Sequence, residues 1–404
     1  MGVPEFVIRP SRVESSLQVS KTNPEANRRY WPELDALRFF AFIGVFCFHR
    51  MDYVATDPVR DRLGFCIGTI GAFGVPVFFL LSAFLITDLL LREQQRTGSV
   101  NVPAFYMRRI LRIWPLYFTA FFGLAVLDNF VPGVSSNDPH AWLAFTFFAG
   151  NWYILQHGWI AGSVDPLWSI SVEEQFYIVI PILAALGGRR AVRLASYLLF
   201  GAAYLTVLLY ALHPTAGDNG EWTNSFLHFQ FFAAGTEIAI LLRGRTLHLA
   251  LPVRLIGFAL GFLCWFTAML RFHVQSWNPQ PTLAGAFAGW LLVLAGTVVF
   301  FLCTLGLDSR MIPAWLAYLG RISYGLYIFH SFVFFVLFEK AGPFVGRLFP
   351  KMYLAAGFRN ALGSVLVLAF SIGLAHLSYQ YFERPFRRLK KRFTLVTSRQ
   401  EIAV

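Results

Sequence analysis

Repeated apolar segments of about 20 residues, each long enough to cross a hydrocarbon layer of roughly 30 Å, constrain this chain more than anything else in it. Eleven candidates lie near residues 36–54, 68–91, 114–131, 142–156, 168–186, 194–212, 226–243, 253–271, 283–305, 313–339 and 360–382. Of the 404 residues 56% are hydrophobic and only 14% charged. A soluble chain carries about 25% charged residues, so the apolar excess is too large for one water-soluble core. The sequence therefore predicts an all-α, polytopic membrane protein.

Whether ten or eleven segments cross decides where the C-terminus lies, and charge selects ten. With the short 142–156 segment not crossing, the basic stretches RRAVR (189–193), RGR (243–245) and RRLKKR (387–392) all face the cytoplasm with both termini. If it crossed, they would all face outward, against the positive-inside bias. The expectation is ten transmembrane helices, N-in and C-in, in the plasma (inner) membrane, with 142–156 as a re-entrant or interfacial element. A broken element is tolerated at membrane depth only where it is buried in protein or lines a cavity. Residues 1–30, rich in Pro and Ser and lacking an apolar leader, read as a flexible cytoplasmic tail. Residues 31–388 form the membrane domain, and 389–404 a basic cytoplasmic tail. The net charge of +12 fits a cytoplasmic face that meets anionic lipid and phosphorylated donors, not nucleic acid. Cys47, Cys66, Cys264 and Cys303 lack metal-ligand spacing, so no metal is expected.

Ionisable side chains inside spans are costly and mark cavities. Arg38 and His49 are eleven residues apart in the first helix. They share a face to within about 20° and stand roughly 16 Å apart along the axis. Glu173 and Glu174 sit just inside the outer end of the fourth crossing, with Tyr177 one turn beyond Glu173. Rise per residue brings His49 and Glu173 to the same depth, about 20 Å from the inner surface. A carboxylate beside a histidine fixes its tautomer and raises its basicity. Arg108, Arg109 and Arg112 form a cluster between the second and third crossings, and guanidinium forks suit phosphates. Tyr324, Tyr327 and His330 fall late in the chain, with His330 at mid-membrane. Each group also has a bland reading. Arg38 and His49 can snorkel to opposite interfaces, one glutamate can reach outer headgroups, the arginine cluster can be an inner anchor, and Ser82 can serve close helix packing.

Several ordered motifs carry a family resemblance. They are Arg-x10-His (Arg38, His49), SAFLI from Ser82, and the arginine cluster followed by Pro115 and Tyr117. Next come Ser169, Glu173, Gln175, Phe176 and Tyr177, and last the stretch from Ser323 to His330. Over about residues 30–388 the chain resembles the acyltransferase 3 family of multi-spanning membrane O-acyltransferases. Ala83 stands where the family usually has Gly.

The resemblance implies transfer of a short acyl group, acetyl first among them, from cytoplasmic acyl-CoA to a hydroxyl presented outside. The expected acceptor is a glycan or glycolipid; a small secondary metabolite such as a macrolide is the runner-up. On this reading Arg108, Arg109, Arg112 and Tyr117 hold the CoA, Arg38 guides its arm, and His49 is the general base oriented by Glu173. Asn151, Trp152, Glu174, Tyr177, Tyr324, Tyr327 and His330 would line the acceptor site. No Ser or Cys stands out in the sequence as an activated nucleophile, so direct transfer is expected. The rival class is a transporter, which also places Arg, His and Glu inside the membrane.

Overall fold

The computed structural model describes residues 31–54, 62–160, 162–213, 220–245, 247–274, 282–341 and 356–393. The 1–30 tail and residues 394–404 of the basic tail lie outside the described residues. Among the described residues there are helices and no strands. Eight helical stretches among the described residues are long and apolar enough to cross a membrane.

In chain order the helices are α1 (Pro32–Val54), α2 (Arg62–Gly71), α3 (Gly74–Thr97), α4 (Val102–Asp128), α5 (Pro139–Thr146), α6 (Gly150–His157), α7 (Trp168–Leu212) and α8 (Gly220–Thr223). They continue with α9 (Ser225–Leu242), α10 (Leu251–Phe272), α11 (Leu283–Thr304), α12 (Ala314–Arg321) and α13 (Ser323–Phe334). A π-helical turn, Phe335–Ala341, extends α13. The last two helices are α14 (Ala356–Leu377) and α15 (Glu383–Lys390).

Two sequence expectations are refined. The segment near 142–156 is two helices of eight residues, α5 and α6. Each is about 12 Å long and far too short to cross. The candidates near 168–186 and 194–212 form one 45-residue helical stretch, α7, broken at Gly188 (φ 55°, ψ −144°). Each half retains enough length for a separate crossing.

Close backbone packing sets the frame of the site. A methyl group on Gly71 would collide with the Gly44 carbonyl, and one on Gly74 with the Ala41 carbonyl, so α1 lies backbone to backbone against the α2–α3 corner. Gly235 on α9 meets the Leu80 carbonyl in the same way and faces Ala83. The extra methyl of Ala83 is thus accommodated by a glycine on the facing helix. These contacts put α3 at the centre, between α1, α7 and α9. Phe79 of α3 stacks on Phe232 of α9 with ring centroids 4.9 Å apart.

The α3–α4 corner is held by Glu93. Its carboxylate accepts from the Asn101 backbone N–H at 2.8 Å and from Arg108 at 2.9 Å. Asn101 caps α4 by accepting from the Ala104 N–H, and Pro103 sits in the first turn. This cap starts α4 at Val102, so Arg108, Arg109 and Arg112 stand on the helix itself instead of in a loop before it.

Candidate active site

A cavity of about 220 Å³ opens between α1, α3, α4, the start of α7 and α13. Its walls on α3 run from Val75 to Arg92, which is about 25 Å along that helix. Six cations line it: Arg38, Arg92, Arg109, Arg112, Arg321 and Lys390. Asp35, Asp88 and Glu173 are the acids on the wall. Two of the cations are committed locally, Arg38 to Asp35 at 2.6 Å and Arg92 to Asp88 at 2.9 Å. Arg109 is different. Its guanidinium lies 5.7 Å from the rings of both Phe105 and Tyr177. Its buried Nε has no hydrogen-bond partner among the described residues. A guanidinium that lines a cavity suits an anionic ligand.

At the α7 wall the Ser82 hydroxyl donates a short hydrogen bond to the Glu173 carboxylate. Tyr177, one turn beyond Glu173, lines the same cavity. The charges that act on Glu173 come from Arg109, Arg112 and Arg38. Sequence reasoning placed Ser82 in a packing role; its signal was the SAFLI motif, but the partner on α7 is visible only in three dimensions.

His49 does not line this cavity among the described residues. Its ring lies 5.2 Å from the His330 ring and 5.3 Å from Phe48. His330 is fully buried, and its Nδ1–H donates to the Tyr327 carbonyl at 2.7 Å. In the neutral ring that bond leaves Nε2 as the acceptor, and Nε2 has no partner among the described residues. Tyr327 links the two regions. Its ring is 5.7 Å from His330, and its hydroxyl lies on the cavity wall, 2.6 Å from Ser169 Oγ and 3.0 Å from the Pro166 carbonyl oxygen. Tyr324 also lines the cavity and donates to the Ile113 carbonyl at 2.9 Å.

Arg108, Tyr117, Glu174, Asn151 and Trp152 are placed away from the cavity wall. Arg108 is buried in an ion pair with Glu93 and donates to the Phe393 carbonyl at 2.8 Å. The Tyr117 hydroxyl donates to the Phe145 carbonyl at 2.8 Å. Glu174, about 100° round α7 from Glu173, faces α4 and accepts from Trp114 Nε1 at 3.2 Å. Asn151, fully buried, donates to Ser225 Oγ and the Thr223 carbonyl and accepts from Gln175. It ties α6 to α7 and α9. Trp152 packs edge-on against Phe226 at 5.8 Å. At the start of α5, a hydrogen bond from the Tyr153 hydroxyl holds the half-buried Asp138 carboxyl below the usual carboxylate range.

Comparison with known proteins adds three findings. A family model described as an acyltransferase domain, acyltransferase 3, matches residues 31–379. A putative O-acetyltransferase of Staphylococcus aureus is 24% identical over 398 residues, covering 89% of this chain and 58% of that protein. The peptidoglycan O-acetyltransferase OatA of Listeria monocytogenes is 24% identical over 396 residues, covering 91% of this chain and 57% of that protein. The chain thus spans less than two thirds of the curated relatives it matches. No solved structure matches.

Proposed function

The chain belongs to the acyltransferase 3 family, and on that footing we propose that it moves an acyl group, acetyl in the first instance, from cytoplasmic acyl-CoA to a hydroxyl of a cell-wall glycan on the outer side. The observation that carries this reading is the cavity in which a cation-lined wall ends at the Ser82–Glu173 pair. Its span along α3 suits an extended pantetheine arm. The peptidoglycan O-acetyltransferase of Listeria supports a glycan acceptor.

In this reading the membrane domain has ten crossings: the eight stretches, with α7 counted twice at its break, and α1. Both termini are cytoplasmic and the membrane is the plasma (inner) membrane. Arg109 and Arg112 hold the CoA phosphates, with Lys390 near them on the cavity wall. Arg38, fixed by Asp35, guides the arm. The thioester carbonyl then reaches Ser82 and Glu173. Within the cavity, Tyr177 and Tyr324 shape the arm's path. His49 is the base that receives the acceptor's proton, and the acceptor hydroxyl sits towards His330, whose Nε2 lone pair orients it. Arg108 and Asn151 contribute by holding the frame, not by touching substrate.

The test is CoA release from acetyl-CoA by the purified full chain in lipid nanodiscs, followed with a thiol reagent, together with mass spectrometry of cell-wall glycans from cells with and without the gene. The reading predicts saturable release and acyl esters lost from the glycan on deletion. No release, and an unchanged glycan ester content, would remove it and favour transport.

A further inference from the structure

We infer that Ser82 is the acyl-carrying nucleophile of the reaction and Glu173 its base, so that transfer proceeds through an ester on Ser82 and not directly from thioester to acceptor. This rests on the acyl-CoA reading above and deepens it.

Three observations converge. The first is what the Ser82 hydroxyl does. Inside helices, Ser and Thr hydroxyls commonly bond the carbonyl one turn back. Thr206, Thr297 and Thr304 do so here, each donating to the carbonyl of residue i−4 at 2.7–2.8 Å. Ser82 instead crosses from α3 to α7 and donates to Glu173. A nucleophile within hydrogen-bond reach of a base is the general signature of covalent catalysis. The second is access. Ser82 and Glu173 both line the cavity, so a thioester lying there meets the hydroxyl. Ser169 also lines the cavity, but its hydroxyl is engaged with Tyr327 and the Pro166 carbonyl. The third is separation. His49, beside His330, is not on the cavity wall among the described residues. A direct route needs thioester, acceptor and base at one point. A carrier residue lets donor and acceptor use the site in turn, from opposite sides.

The steps balance. Ser82 Oγ attacks the thioester carbonyl carbon as its proton passes to Glu173. The tetrahedral adduct collapses, the C–S bond breaks, and the CoA sulfur leaves as a thiol with the proton from Glu173. The acceptor hydroxyl then attacks the Ser82 ester. The acyl–Ser82 bond breaks, and the acceptor's proton, received by His49, is returned to Ser82 Oγ.

The experiment uses the full chain in nanodiscs with acetyl-CoA labelled in the acetyl group and no acceptor, quenched by denaturation. Label is expected on the chain, in the peptide holding Ser82, as an oxygen ester. S82A should lose it, and E173Q should slow its appearance at least about 100-fold. S82C should carry a thioester instead, released by neutral hydroxylamine, which a structural role for Ser82 would not produce. CoA release by the wild type with an unlabelled Ser82, or with label on another residue, overturns the inference while leaving the acyl-CoA reading intact. Neither release nor label overturns both.

Discussion

Two clusters of ionisable residues sit side by side in this molecule and are built on opposite principles. Around Ser82 and Glu173 there is space and positive charge: a cavity of about 220 Å³ with six cations on its walls. Around His49 and His330 there is packing: His330 lies against Phe42 at 5.7 Å, and Phe46 against Phe334 at 5.0 Å. The first region has room for a large anionic ligand; the second is closed in by aromatic rings. Tyr327 touches both. Equal depth in the membrane therefore does not mean a shared pocket, because depth says nothing about lateral position.

The sharpest way to break this contrast is to neutralise Glu173. E173Q should lower acyl transfer about 10³-fold, read as CoA release, with the folded fraction unchanged by size-exclusion chromatography. Two neighbouring arginines then separate structure from function. R108M leaves the Glu93 carboxylate buried without its partner. It should cost about 3–5 kcal/mol of stability, read as a lower melting temperature, without raising the KM for acyl-CoA in the protein that folds. H49A should lower transfer to a glycan acceptor about 10²-fold while CoA release in the absence of acceptor falls much less. Equal loss in both assays would merge the two regions into one. The smallest effect belongs to R109Q, which should raise the KM for acyl-CoA about 10-fold through one lost charge-assisted contact and leave kcat near its original value.

The fold was largely legible because apolar run length reports directly on helices. The predictions near 226–243, 253–271 and 283–305 lie within two residues of α9, α10 and α11. Hydropathy failed where charge is buried in partnership. Hydropathy starts the third crossing near 114, but α4 starts at Val102, because Glu93 compensates Arg108 inside the bundle. Hydropathy counts Arg108 as a cost and cannot see its partner fifteen residues earlier. The site was legible in part. Arg38, Arg109, Arg112, Glu173, Tyr177, Tyr324 and Tyr327 do stand on one cavity wall. Glu173 and Tyr177, one helical turn apart, both line it. The partner of Glu173 was not legible, since Ser82 is on another helix and 91 residues away. Asn151 also misleads in sequence. A polar residue in an apolar segment reads as a ligand, yet its hydrogen bonds are all spent on α7, α9 and the Thr223 carbonyl.

One measurement reaches the centre of the account: an electron cryomicroscopy structure of the full chain in nanodiscs with a non-cleavable thioether analogue of acetyl-CoA. The account predicts density through the cavity, phosphates against Arg109 and Arg112, and the carbonyl carbon in van der Waals contact with Ser82 Oγ beside Glu173. An analogue bound away from that cavity, or seated in it with its carbonyl remote from Ser82 and Glu173, would contradict it.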